Sequence, residues 1–319
     1  MGINYRTLFS LLPAFFSIGV YIFVFDQIYV WVEKDLPLVN SYNVANAIGA
    51  ILMGFLSDSF CRRKMFLFIH IAAPVLFTLS YLFSDSYVII SLTGLIYNPL
   101  STLRANLVDN AASYSKIQLI ACSFVIQFLP DTMYYLFENI PKQTAYLSAM
   151  GLLLAALLLG ALLLFDRRDE KIKHENMFSK IAFFAPDTNR KALLTFFAFI
   201  PLEIAFFIGD NFLEIYPLNY FYYSILSFAS LLGAALSSLY KRIPHVSILT
   251  VGYGIAFLFA LLPIGAKFLY NYHELNIPYL FMALGALFGF YISFVYDVIL
   301  HAVQKHFRGT ACGLLDFVV

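Results

Sequence analysis

Long apolar runs separated by short polar breaks dominate the chain, and the runs are continuous rather than alternating residue by residue. A helix crosses the hydrocarbon core of a bilayer with about 20 apolar residues. On that measure the pattern predicts spans at 8–32, 41–58, 65–83, 87–108, 117–137 and 143–165, then at 192–212, 217–239, 246–268 and 278–301. An eleventh run opens near Gly309 and is cut short at Val319. Backbone groups in lipid have no water to pair with, so each span must be a helix that satisfies its own amides. The expected fold class is all-α: a polytopic membrane protein with ten complete transmembrane helices and a partial eleventh.

Composition agrees with the pattern. Hydrophobic residues make up 61% of the 319 and charged ones 12%, against about 45–50% and about a quarter in soluble domains. One core cannot hide that surplus, so lipid is the expected solvent for much of the surface. The net charge of +1 supplies no basic field for nucleic acid. Three scattered cysteines and six histidines form no disulfide framework or metal-ligand spacing. No nucleotide-binding glycine loop or nucleophile elbow is present, so neither an enzyme, nor a cofactor, nor a metal is expected. The first run, Leu8 to Val32, is too long for a secretion signal and lacks a small-residue cleavage site, so it reads as a retained span.

Charge sets the expected orientation. With the amino terminus in the cytoplasm, all but three of the 20 Lys and Arg residues fall on the cytoplasmic side, and only Lys34, Lys142 and Lys267 fall outside. The one long charged stretch, Asp166 to Lys191, reads as a cytoplasmic connector with a short amphipathic piece around Met177–Phe184. It divides the chain into 1–165, a six-helix bundle, 166–191, a linker, and 192–319, a second and incomplete bundle.

One polar break is distinctive. Between spans 2 and 3 the chain reads Gly54-Phe-Leu56-Ser-Asp58-Ser-Phe-Cys-Arg62-Arg63-Lys64. Asp58 sits at the carboxyl end of its helix, where the helix dipole disfavours an anion by a few tenths to about 1 kcal/mol. It needs compensation, and Arg62 and Arg63 lie within reach across the turn. Gly54, one turn earlier, suits a close helix approach. A weak echo follows at Gly233-Ala-Ala-Leu-Ser237-Ser-Leu-Tyr-Lys241-Arg242, with serine in place of the aspartate. Internal repeats of this kind are typical of transporters.

In Gly54, Leu56, Asp58, Arg62 and Arg63 this break resembles the loop between the second and third helices of the major facilitator superfamily. It departs from that loop at Ser59 and Cys61. The resemblance implies a two-bundle fold and alternating access, with Gly54, Asp58, Arg62 and Arg63 at the inner gate. It also implies a partner for Asp58, the amino terminus of span 11, which here starts near Gly309–Thr310. Phe307-Arg308-Gly309-Thr310 resembles the corresponding loop of metabolite–proton symporters, without the proline that commonly precedes it. Complete members have two more spans than this chain, which leaves a truncated, non-transporting remnant or interaction protein as one alternative.

Ionisable groups inside spans are costly, by at least about 2.5–3.5 kcal/mol, and invite functional readings. Glu203, Asp210 and Glu214 share one stripe of span 7. Glu203 and Asp210, with Asp26 in span 1 and Asp131 after Pro130 in span 5, are candidates for taking and releasing protons; Asp26 and Asp131 read equally as polar residues satisfied by a neighbouring helix. Gln27, Tyr97, Ser101 and Arg104 are candidates for the substrate cavity. An arginine facing that cavity favours an anionic solute group, while an arginine near the inner end of span 4 also serves as an anchor that snorkels to lipid phosphates. Ser293, Asp297 and His301 form a stripe near the inner end of span 10.

Together these features point to a secondary active transporter of a small polar solute, expected to be a monomeric proton-coupled symporter in a plasma or bacterial inner membrane. A drug or metabolite efflux antiporter is the alternative transport mode. Such exporters carry a glycine-rich run ending in Gly-Pro in span 5, and Ser123-Phe-Val-Ile-Gln-Phe-Leu-Pro130 contains no glycine.

Overall fold

In the computed structural model, large apolar side chains project outward in helical stripes. Val44, Ile48 and Leu52 do so on one helix, Phe68, Ile71 and Val75 on the next, and Leu147, Leu154 and Leu158 on a third. A soluble helix turns such a stripe inward. Here both faces of the helices are apolar, and five helices are long and apolar enough to cross a membrane. The chain is an integral, multi-pass membrane protein.

The structure describes residues 5–32, 35–60, 62–96, 100–109, 116–132, 140–164, 220–239, 277–304 and 307–318, with a few isolated positions between 197 and 261. Among the described residues all regular structure is helical. The helices are α1 (Tyr5–Val32), α2 (Leu36–Ser59), α3 (Arg62–Leu82), α4 (Tyr87–Ile96), α5 (Leu100–Asp109), α6 (Lys116–Asp131), α7 (Lys142–Leu164), α8 (Tyr220–Ser237), α9 (Ile277–Ala302) and α10 (Arg308–Val318). The spans expected at 192–212 and 246–268 lie outside the described residues.

Two boundaries differ from the hydropathy pattern. The second helix starts at Leu36 rather than 41, because Asp35 caps it, accepting from the Leu38 amide at 3.2 Å, and Pro37 occupies the first turn. Those residues are polar or conformational signals that an apolar window passes over. The run expected at 87–108 is described as two helices, α4 and α5, on either side of residues 97–99.

Contacts divide the chain into two compact units. The first comprises Met1–Ser113, Phe137–Asn189 and Val303–Val318, and the second Tyr114–Leu136 and Arg190–Ala302, with Val319. The grouping does not follow chain order: α10 packs with α2 and α5 in the first unit, and α6 packs with α8 and α9 in the second.

Within the first unit, α1, α3 and α7 are joined at the end remote from Asp58 by aromatic rings. Trp31 stacks on Phe77 with centroids 5.1 Å apart, and Tyr81 stacks on Tyr146 at 4.2 Å. Lys142 places its Nζ 5.3 Å from the Trp31 ring centre and donates to Ser84 Oγ at 3.0 Å. Each such pair contributes about 0.5–1.5 kcal/mol beyond its buried area. Deeper in, the buried His70 is paired at both ring nitrogens, Nδ1 with the Phe66 carbonyl and Nε2 with Ser17 Oγ, each at 2.7 Å. In the second unit, Gly285 and Gly289 of α9 meet Leu226 and Ser230 of α8, and Gly233 of α8 meets Ala286. A methyl group at any of these glycines would strike the facing backbone. Small residues bring helices close where lipid supplies no hydrophobic drive between them.

Candidate functional site

The site is built where the carboxyl end of α2 meets the amino end of α10. The two helices run antiparallel, with Gly54 against Gly309 and Ala50 against Gly313. A Cβ on Gly54 would collide with the Gly309 carbonyl, and one on Gly313 with the Ala50 carbonyl, so this approach requires glycine on both sides. The contact brings Asp58, one turn beyond Gly54 and 8% exposed, over the first turn of α10.

The Asp58 carboxylate caps that turn. Oδ1 accepts from the Gly309 amide at 2.9 Å, and Oδ2 accepts from the Thr310 amide at 2.6 Å and the Thr310 hydroxyl at 2.8 Å. The first amides of a helix have no partner within it, and a side-chain oxygen on the second or third is the usual cap geometry. Here the capping group comes from another helix. The negative end of α2 disfavours Asp58 while the positive end of α10 favours it, and three bonds to an ionised acceptor decide the balance at about 1.5–3 kcal/mol each. Ser57 at this junction turns its hydroxyl to the Gly54 carbonyl at 2.8 Å. Arg308, the half-buried first residue of α10, lies outside the apolar span. Burial lowers its guanidinium from the ordinary value, while Cys312 and Asp58 act to raise it. Arg62 and Arg63 open α3, and their side chains lie outside the described residues.

A second polar contact holds the same helix. Arg104 of α5 pairs through Nη1 with Asp316 Oδ1 of α10, with the side chains only 2% and 6% exposed. Asp316 is six residues beyond Thr310, or about 9 Å along the helix. Thr102, on the same turn of α5 as Arg104, donates to the Met53 carbonyl of α2 at 3.3 Å.

A third polar group lies between α1 and α2. Asp26 and Gln27 are buried at 6% and 1% exposure, and Tyr42 of α2 is fully buried within electrostatic reach of Asp26. Gln27 Nε2, the Tyr42 hydroxyl and Asn46 Oδ1 are buried without a hydrogen-bond partner among the described residues. Polar atoms withdrawn from water are nearly always paired, so three together mark a place suited to a polar guest.

The remaining candidates are not brought to these groups. Tyr97, Glu203 and Asp210 lie outside the described residues, as do the side chains of Ser101 in α5 and Asp131 at the end of α6. In α9, Ser293 turns back to the Gly289 carbonyl at 3.3 Å, and the His301 side chain is outside the described residues. Sequence reasoning passed over Asp316, Tyr42 and Asn46. Asp316 was detectable: it is a lone acid in the apolar run Cys312-Gly-Leu-Leu-Asp316-Phe-Val, the same signal that singled out Glu203.

No family model matches the sequence, and neither does any curated protein. Solved structures do resemble it. The human organic anion transporter MFSD10 (TETRAN) superposes with a TM-score of 0.55 at 12% identity, over 99% of this chain and 98% of that one. A bacterial homologue of the human lysosomal transporter Spinster, inward-facing and unoccupied, gives a TM-score of 0.49 at 14% identity, over 99% of this chain and 80% of its own. The fold is that of a major facilitator-type transporter.

Proposed function

We propose that the protein is a secondary active transporter that moves a small polar solute together with protons by alternating access. Its amino terminus lies in the cytoplasm, it works as a monomer in a plasma or bacterial inner membrane, and 1–165 and 192–319 are its two moving halves. The observation that carries this reading is the cap that Asp58 places on α10. The chain connects α10 directly to α9 of the second unit, while its contacts are with α2 and α5 of the first. A helix tied covalently to one group and held by a few polar bonds to the other is suited to a contact that forms and breaks as a whole. Gly54, Asp58, Arg62 and Arg63 then form the inner gate, and the gate is closed in this arrangement.

The buried atoms of Gln27, Tyr42 and Asn46 beside Asp26 support a polar solute rather than a lipid. Gln27, Tyr97, Ser101 and Arg104 are assigned to solute contact, and Glu203, Asp210, Asp26 and Asp131 to proton transfer. A carboxylate withdrawn from water can exchange protons with a gradient, which coupling requires. Uptake of radiolabelled metabolites into proteoliposomes, with and without an imposed pH gradient, tests the reading. Flux driven by an inside-alkaline gradient is expected, and Glu203→Gln is expected to leave uptake that no longer responds to it. Flux indifferent to the gradient in the unmodified protein defeats the proton-coupled mode, and undiminished coupling in the variant removes Glu203 from it.

A further inference from the structure

We propose that Arg104 and Asp316 form an exchange site, in which a proton taken by Asp316 releases Arg104 to bind the oxyanion group of the transported solute. The inference rests on the proton-coupled reading above and names its solute class: an organic anion carrying a carboxylate, sulfonate or phosphate.

The argument starts from a charge that cannot be removed. A guanidinium stays protonated at any physiological pH, and Arg104 is 2% exposed, so an anion has to accompany it in every state of the cycle. In this state the anion is Asp316. When α10 leaves α5 the carboxylate leaves with it, and Arg104 needs another. A solute oxyanion meets that need, and the planar guanidinium fork matches it with two parallel N–H···O bonds. Binding the solute while Asp316 remains ionised would set two anions on one cation. A proton on Asp316 removes the conflict.

The exchange balances. One proton from solution bonds to a carboxylate oxygen of Asp316, and the N–H···O contact from Arg104 Nη1 to Asp316 Oδ1 is replaced by one from Arg104 to the solute. The pair is neutral before the step, and guanidinium, carboxylic acid and bound anion are neutral after it. One proton therefore accompanies one anionic group.

The other ionisable groups on the packed helices leave Arg104 as the partner of Asp316. On α2, Asp58 is engaged at the opposite end of α10 with Gly309 and Thr310, and Tyr42 lies in reach of Asp26. On α5, Asp109 stands five positions from Arg104 toward the helix end, with its side chain outside the described residues. On α10 itself, Cys312 is one turn away and Arg308 two.

Two measurements on the purified full chain test the site. Asp316→Ala opens the place of the carboxylate beside Arg104. Sodium formate should raise the melting temperature of that variant in detergent, with sodium chloride at equal ionic strength as control, by the mass action of a ligand bound only to the folded state. The double variant with Arg104→Gln should lose the response. A folded Asp316→Ala protein indifferent to formate overturns the proposal. The second measurement does not need that variant to fold. Cys312 is fully buried on the same helix, so its alkylation by N-ethylmaleimide, in a background with Cys61→Ser and Cys122→Ser, reports α10 leaving α5. Its rate should rise about fivefold or more between about pH 7.5 and about pH 5.5, and in Asp316→Asn it should be fast and independent of pH. A rate in the parent that ignores pH, or a pH response that persists in Asp316→Asn and so belongs to Asp58, overturns it. Neither measurement involves flux, so failure here leaves the uptake test standing. Uptake without gradient dependence alongside a formate response would retain the anion site and remove the coupling.

Discussion

The carboxyl ends of α2 and α8 carry the same skeleton, glycine followed four residues later by a polar side chain, and the two have different outcomes. In α2 the glycine meets the backbone of α10, and Asp58 reaches across to cap that helix with three hydrogen bonds. In α8 Gly233 meets Ala286 of α9, and Ser237, fully buried, turns its hydroxyl back to the Ala234 carbonyl of its own helix at 2.7 Å. One junction is held by charge and is open to competition by protons or anions. The other is a seam of glycine, alanine and serine held by close packing. What separates them is one side chain: an anion at the end of a helix must look outside that helix for donors, whereas a serine finds an acceptor one turn back.

Exchanging or weakening the two junctions tests that difference. The largest effect is expected from Ser237→Asp, which buries a carboxylate at the disfavoured end of α8 with a backbone carbonyl as its neighbour. A loss of about 3–5 kcal/mol, seen as failure to fold or a sharply lower melting temperature, is expected. Retained stability would mean that α8 can supply a latch as α2 does. Asp58→Asn keeps the shape but removes the charge, and should cost the α2–α10 junction about 2–3 kcal/mol, read as a large acceleration of Cys312 alkylation with the helical content of the protein preserved. Gly289→Ala drives a methyl group into the Ser230 backbone, and overpacking of this kind should cost about 1–3 kcal/mol. That loss should appear in melting temperature while Cys312 labelling stays unchanged, because the seam lies in the other unit. Thr310→Val removes one of the three bonds to Asp58, and an increase in Cys312 labelling equivalent to about 1 kcal/mol is expected. Equal labelling in this variant and the parent would assign the whole cap to the backbone amides.

Much of the architecture was visible along the chain because lipid imposes a simple rule on composition. Helices α1, α3, α6, α7, α8 and α9 coincide with apolar runs to within a few residues. The start of α2 was less visible, since Asp35 and Pro37 act through capping and backbone geometry rather than hydropathy. Asp58 stood out as an anion at an unfavourable helix end, and Gly54 as a glycine one turn away. Arg104 stood out as a cation in a span, with cavity and anchor readings both open, and its place against Asp316 emerges only from the packing of α5 on α10. The Gln27, Tyr42 and Asn46 atoms are beyond sequence reasoning, because only the packed interior shows which polar atoms lack a partner.

The sequence by itself determined that this chain is helical and lives in a bilayer, because hydropathy and the need to satisfy backbone amides in lipid act locally, within each run. Which helix holds which was decided by the tertiary structure. Helix α10 follows α9 along the chain yet packs on α2 and α5, since a glycine face, a capping carboxylate and a buried counter-ion for Arg104 are available there. Complementarity of that kind belongs to pairs of surfaces, and no single stretch of sequence contains it.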